Sequence, residues 1–165
     1  KEGRVYAFEA FKPNYEKFSQ HLSINHFKNV TLEHLAVADN NDYIEILYDE
    51  SYGNVGMASS YLKNFTAKEK VKSIILDEYV ENQQITKIDL IKIDIEGGEF
   101  SALQGMQKIL AHYQPKIIIE INNIALKSSD HSEEELIRIL LDKGYSQTKV
   151  LSRNENSYNA VFESL

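Results

Sequence analysis

The chain has no cysteine, which removes disulfide staples and thiolate chemistry together. No uninterrupted apolar run is long enough to cross a bilayer, and the first ten residues hold no apolar segment of the signal-peptide kind. A cytoplasmic location with no membrane partner is the expectation. Proline (2) and glycine (7) are scarce, and an apolar share of 42% suits a packed core rather than disorder. Lys and Arg never cluster beyond a neighbouring pair, and 18 basic against 25 acidic side chains leave a formal charge of −7. A nucleic-acid backbone needs a basic face, so no nucleic-acid partner is expected. The histidines at 21, 26, 34, 112 and 131 have no metal-ligand spacing, and both a GxSxG elbow and a P-loop are absent. Ser59 and Ser60 have no nearby histidine to activate them. The 165 residues suit one domain, residues 1–165.

What is present centres on residues 87–105, KIDLIKIDIEGGEFSALQG. Residues 88–95 form a nearly continuous apolar run, the pattern of a parallel strand buried on both faces. The run ends in Asp94, Glu96, Gly97, Gly98 and Glu99, and Phe100, Leu103, Met106 and Leu110 follow at helical spacing. In open α/β sheets ligands sit outside the carboxyl ends of the strands, so these acids would border a ligand mouth. A carboxylate ending a buried strand is costly unless paired or solvated by a cleft, which makes Asp94 a functional candidate. Glu96 reads equally as functional or solvated. Glu99 could belong to the site or simply favour the helix N-terminus.

The rest of the chain supplies strands and helices around that stretch. Residues 4–8, RVYAF, read as a strand closed by Glu9, and Pro13 with Asn14 as N-cap opens a helix carrying Tyr15, Phe18 and Leu22. Such a strand-end acid commonly holds ribose hydroxyls in doubly wound folds, or is merely solvated. Residues 30–37, VTLEHLAV, read as a second strand, and residues 43–48 alternate like an edge strand. Residues 51–61, SYGNVGMASSY, suit a substrate loop or a plain connection. Thr66 and Glu69 have capping-box spacing for a short helix, and Asp77 follows an apolar run as cap of the next helix. Residues 116–121, KIIIEI, form a strand that places Glu120 at the same mouth if the register holds. Ser132 and Glu135 cap a helix with Leu136, Ile139 and Leu140 as its buried stripe, closed by Lys143 and Gly144. Strands near 148–151 and 158–162 should pair as an antiparallel hairpin across SRNENS.

Six pieces together resemble the FkbM family of S-adenosylmethionine-dependent methyltransferases. They are VYAFEAFKPN (5–14), LAVAD (35–39), ILDEY (75–79), DLIKIDIEGGE (89–99) with ALQG behind it, QPKIIIEIN (114–122) and LLDKGY (140–145). The resemblance implies an α/β fold: a Rossmann-like class I methyltransferase sheet, mostly parallel, with a C-terminal antiparallel hairpin. It implies S-adenosylmethionine as cofactor, Glu9 on its ribose, Ala36 and Val37 against its adenine, and Asp94 near its sulfonium. The reaction would be O-methylation of a hydroxyl on a sugar or secondary metabolite. Asp94 is the first choice for the general base and Glu120 the second, with Glu96 orienting base or substrate.

Two departures stand out: Ala10 replaces a usual proline, and the family's first strand with its glycine-rich loop is missing. The sheet is therefore expected to be incomplete at its N-terminal end, with the strands ending at Glu9 and Asp94 closing directly on each other. Open edges would otherwise admit an oligomer. The chain alone is expected to bind the cofactor poorly and transfer no methyl group. Two rival classes are a non-catalytic α/β binding module and a divalent-metal enzyme using Asp94, Glu96 and Glu120 as oxygen ligands. No metal is assigned to the site.

Overall fold

The computed structural model of the chain describes residues 3–49, 59 and 65–164. Its first half runs β1 (Val5–Phe8), α1 (Lys12–Ile24), β2 (Val30–Glu33), β3 (Ala36–Ala38), β4 (Tyr43–Tyr48), β5 (Ala67–Ile75) and α2 (Leu76–Asn82). The second half runs β6 (Leu90–Ile93), α3 (Glu99–Gln104), α4 (Gln107–His112), β7 (Lys116–Asn122), α5 (Asn123–Ser128), α6 (Glu133–Asp142), β8 (Tyr145–Arg153) and β9 (Ser157–Ser164). The strands form three hydrogen-bonded groups, β1-β2, β3-β5-β4 and β6-β7-β9-β8. None of the helices among the described residues is long and apolar enough to cross a membrane.

The four-stranded group carries the main core. In β7 the period of two sends Ile117, Ile119 and Ile121 inward at 0% exposure, leaving Ile118, Glu120 and Asn122 on the other face. β6 lies parallel beside it, from Leu90↔Lys116 to Ile93↔Ile119. β9 runs antiparallel on the far side of β7, and β8 pairs β9, so the C-terminal hairpin forms as expected. Asn154 closes that hairpin by accepting from the backbone N–H groups of Asn156 and Ser157. Leu103, Leu110 and Leu136 from α3, α4 and α6 are fully buried in the same cluster. The capping box of Ser132 and Glu135 starts α6, and Gly144 follows its end at φ +82°.

One expectation for this half is corrected. β6 is buried on one face, not two, with Leu90 52% exposed and Lys92 also outward. A lysine inside the run can only point out, so Ile91 and Ile93 turn in while Lys92 and Asp94 share the open face. The helix after the acidic turn is also interrupted, at Gly105 and Met106. A Cβ on Gly105 would stand 2.0 Å from the carbonyl oxygen of Ala38, so only glycine lets this corner lie against β3.

The first half departs further. Residues 30–37 are two strands, because the chain changes partner at His34: β2 pairs β1 and β3 pairs β5, both parallel. β4 is the expected edge strand and pairs antiparallel with β5. The capping-box helix at Thr66 does not form. Residues 67–75 are strand instead, since Lys68, Lys70 and Lys72 alternate outward while Val71 and Ser73 are buried, and a paired neighbour rewards that period. Asp77 does not cap α2; its two oxygens accept from the N–H groups of Lys108 and Ile109 at 2.8 and 2.9 Å, capping α4. Asn14 lies inside α1, whose N-cap is Phe11, anchored at 3% exposure in a small cluster with Ala36, Ile46 and Val71.

The strands ending at Glu9 and Asp94 do not close on each other. Among the described residues β1 pairs β2 alone and β6 pairs β7 alone. β1 is held instead by Tyr79 of α2, edge-on to the rings of Phe8 at 5.0 Å and Tyr6 at 6.2 Å, with its hydroxyl donating to Glu33. Of the proposed loop at 51–61, all but Ser59 lies outside the described residues; Ser59 bridges to Leu47.

Candidate functional site

The register that seats β6 on β7 builds the site. Ile93 faces Ile119, so one residue further Asp94 and Glu120 stand side by side on the open face of the sheet. Their carboxyl groups share a hydrogen bond. Glu96 comes in from the turn after β6, and ligand oxygens of Asp94, Glu96 and Glu120 all lie within 4.8 Å of one another. Of the four acids expected at the mouth, the structure thus brings together Asp94, Glu96 and Glu120.

Electrostatics divides their roles. Burial works to raise Asp94, but hydrogen bonds from Lys92 and Glu120 outweigh it and hold its carboxyl below the usual range. Lys92 Nζ lies 2.5 Å from Asp94 Oδ2, with both side chains about half exposed. Such a pair contributes at most about 1 kcal/mol to stability, so its effect is on protonation. Glu120 moves the other way: burial, the hydrogen bond to Asp94 and the nearby negative charges raise it, against a hydrogen bond from Ser157. Glu96 is raised by burial and by Asp94, against a hydrogen bond from Asn122, whose Nδ2 donates to Glu96 Oε2 at 3.3 Å. The two hydrogen-bonded carboxyls are thus pushed apart, Asp94 toward its ionised form and Glu120 toward its protonated one. Three carboxylate oxygens could also attract a divalent ion, but the Lys92 ammonium already places a positive charge there.

Asn122 was not singled out in the sequence, and Glu99 takes a place that neither reading of it anticipated. Asn122 ends β7 in the pattern KIIIEIN, and besides holding Glu96 it caps α5 by accepting from Ile124 and Ala125 N–H. Its signal was the same alternation that placed Glu120. Glu99 is 1% exposed, and its carboxylate takes the N–H of Ile95 at 3.2 Å and of Gly97 at 2.9 Å. Burial pushes its pKa up to about 7 against those bonds. It does not sit at the mouth; it ties the turn beneath it.

Glu9 lies outside the acid trio, at the end of β1. Its Oε1 accepts from Phe11 N–H at 2.9 Å, and burial raises its carboxyl against hydrogen bonds from Phe11 and Asn14. Carboxylate oxygens accept several bonds each, so these contacts leave capacity for a diol. Ala36 is 5% exposed, with its methyl in the small core cluster, and Val37 packs half-buried on the main core. The residues therefore fit the sugar end of a nucleoside cofactor at Glu9, while Ala36 offers no free side chain. Gly105 and Gly98 fit no ligand, since their added Cβ atoms would meet Ala38 and Ile95. An open hollow of about 600 Å³ lies elsewhere, lined by Val80, Lys108, His112 and Tyr113. It contains none of Asp94, Glu96 and Glu120, and Asp77 at its wall already has both oxygens occupied by α4.

Comparison with known proteins follows this geometry. A family model described as the methyltransferase FkbM domain matches residues 1–146. The crystal structure of a methyltransferase FkbM from Methylobacillus flagellatus KT superposes with a TM-score of 0.66 at 16% identity, covering 97% of this chain and 36% of that one. An rRNA methylase from Streptococcus thermophilus superposes with a TM-score of 0.50, also at 16% identity, covering 98% of this chain and 74% of that one. At such identities the likeness is one of fold, a Rossmann-like α/β arrangement. This chain spans 36% of the length of the first of these structures. No curated protein matches it.

Proposed function

The chain belongs to the FkbM methyltransferase domain family, and from that premise we propose that it serves an S-adenosylmethionine-dependent O-methyltransferase acting on a hydroxyl of a sugar or secondary metabolite. The observation that carries this reading is the hydrogen-bonded Asp94–Glu120 pair at the carboxyl ends of two neighbouring parallel strands. An alcohol gains nucleophilicity as its proton leaves, and a positioned base is worth about 10²–10⁴ in rate.

Glu9 would accept the hydroxyls of the cofactor's ribose, and Val37 would border the adenine. The bound cofactor supplies an electrophilic methyl group on a sulfonium. Asp94 is the base that takes the acceptor's proton, while the proton the pair already shares stays on Glu120, the carboxyl with the higher affinity for it. Lys92 keeps Asp94 ionised as the hydrogen-bond acceptor of that proton. Glu96, steadied by Asn122, borders the pair and orients the acceptor hydroxyl.

The test uses the full-length protein with methyl-labelled S-adenosylmethionine and a panel of sugar and polyketide alcohols. Asp94→Asn and Glu120→Gln should each lower label transfer at least about tenfold while leaving folding intact. Failure of the full-length protein to bind the cofactor, or undiminished transfer in both variants, would sink the proposal.

A further inference from the structure

Glu96 stands in a backbone conformation that side chains avoid. Its φ is +50°, and Gly97 after it has φ +102°, so two successive residues lie in the left-handed region. Glycine adopts that region freely, whereas glutamate is held there by its surroundings. Three contacts do the holding. Gly98 N–H donates to Ile95 carbonyl at 3.3 Å, Ser59 hydroxyl donates to Glu96 carbonyl at 2.5 Å, and the Glu99 carboxylate takes two N–H groups.

The Glu99 contact differs from the others in kind. One oxygen takes Ile95 N–H and the other takes Gly97 N–H, so a single carboxylate straddles Glu96 from below. At 1% exposure it cannot meet an acceptor or a cofactor directly. A buried carboxylate is costly to maintain, and helix capping alone would not need both oxygens on the turn.

We propose that Glu99 is a positioning residue that acts through Glu96: by clamping Ile95 and Gly97 it fixes Glu96 in its left-handed turn, and so sets its carboxylate against Asp94 and Glu120. The role rests on the reading of Asp94 and Glu120 as the proton-handling pair. Glutamate suits it better than its neighbours in chemistry. Glutamine has one accepting oxygen and would turn an NH₂ group toward one of the two N–H donors. Aspartate keeps both oxygens but is one methylene shorter.

Glu120 is the natural reporter, because Glu96 and Asp94 face it as negative charges while Ser157 donates to it from β9 and Lys92 neutralises Asp94 from β6. The experiment is a ¹³C NMR titration of the Glu120 carboxyl in the full-length protein, without cofactor or acceptor. In Glu99→Gln the Glu120 midpoint should fall toward that of an ordinary glutamate, and Glu99→Asp should recover part of the loss. Glu96→Gln should give the same fall, and Glu96→Gln with Glu99→Gln no further one, since both changes remove one influence. Should Glu99→Gln fail to fold, Gly97→Ala breaks the turn from its backbone and should lower the midpoint likewise. An unchanged midpoint in a folded Glu99→Gln or Gly97→Ala protein, or a double variant that shifts additively, overturns the proposal. Because no methyl transfer is measured, failure of the methyltransferase reading would appear in the transfer assay and leave this result standing.

Discussion

The half built on β6, β7, β9 and β8 and the half built on β1 to β5 bury their side chains to different depths. In the former, Leu103, Leu110, Ile117, Ile119, Ile121, Leu136 and Phe162 are completely enclosed. In the latter the buried cluster is Phe11, Ala36, Ile46 and Val71, and α1 carries no buried residue. The trio of acids stands on the deep half and Glu9 on the shallow one. Asp94, Glu96 and Glu120 are thus mounted on the more closely packed frame, and Glu9 on a part that can adjust.

The strongest way to break that comparison is to truncate an apolar side chain in each half. Leu103→Ala should cost about 2–5 kcal/mol, as for other fully enclosed leucines. Urea unfolding followed by circular dichroism would measure it. A cost under about 1 kcal/mol would show that the deep half is less closely packed than its burial says.

A second test uses protonation. Glu99 has a folded pKa of about 7, above the 4.5 of the unfolded chain. A raised carboxyl binds protons more tightly when folded, so its stabilisation is complete below pH 4.5 and is lost as the pH rises through about 7. The shift corresponds to about 3 kcal/mol. Between those pH values wild type should therefore lose about that much stability relative to Glu99→Gln, whose side chain does not titrate. Thermal melts of the two proteins across this pH range would measure the loss, and a stability difference that does not change with pH would show that burial does not disfavour the Glu99 carboxylate.

The third test moves to the shallow half. Glu9→Ala in the full-length protein should weaken S-adenosylmethionine binding by about 1.5–3 kcal/mol, the worth of a hydrogen bond to a charged group. Calorimetry with unchanged affinity would leave Glu9 as the partner of Phe11 and Asn14 alone. The smallest effect is expected at α1, where Phe18 is 37% exposed. Phe18→Ala should alter stability by no more than about 0.5 kcal/mol. A loss comparable to Leu103→Ala would erase the distinction between the halves.

What the sequence disclosed follows the same division. In the deep half, alternation in KIIIEIN placed Glu120 beside Asp94, the Ser132–Glu135 box started α6, and the terminal hairpin formed across SRNENS. These signals are local, and local packing agrees with them. In the shallow half the decisive partners are distant in sequence. Thr66 and Glu69 have the spacing of a helix start, yet β4 offers a complete ladder and the lysines of β5 take the period of two. Asp77 looks like the cap of its own helix but serves α4, whose first turn lies about thirty residues on. Glu99 was ambiguous because its function depends on two N–H groups exposed only by the left-handed turn before it.

The shallow seating of α1 also bears on how the molecule opens. A helix without buried residues parts from its neighbours at a small fraction of the global unfolding free energy, whereas strand β7 can expose its amides only when everything unfolds. Followed by hydrogen–deuterium exchange, the protein should therefore keep two clocks, a fast one in α1 and a slow one in Ile117 to Ile121. Phe11, the residue that starts α1, is tied by its N–H to Glu9. A ligand held by Glu9 would slow the fast clock and leave the slow one alone, which makes α1 a gauge of whether that end of the site is filled.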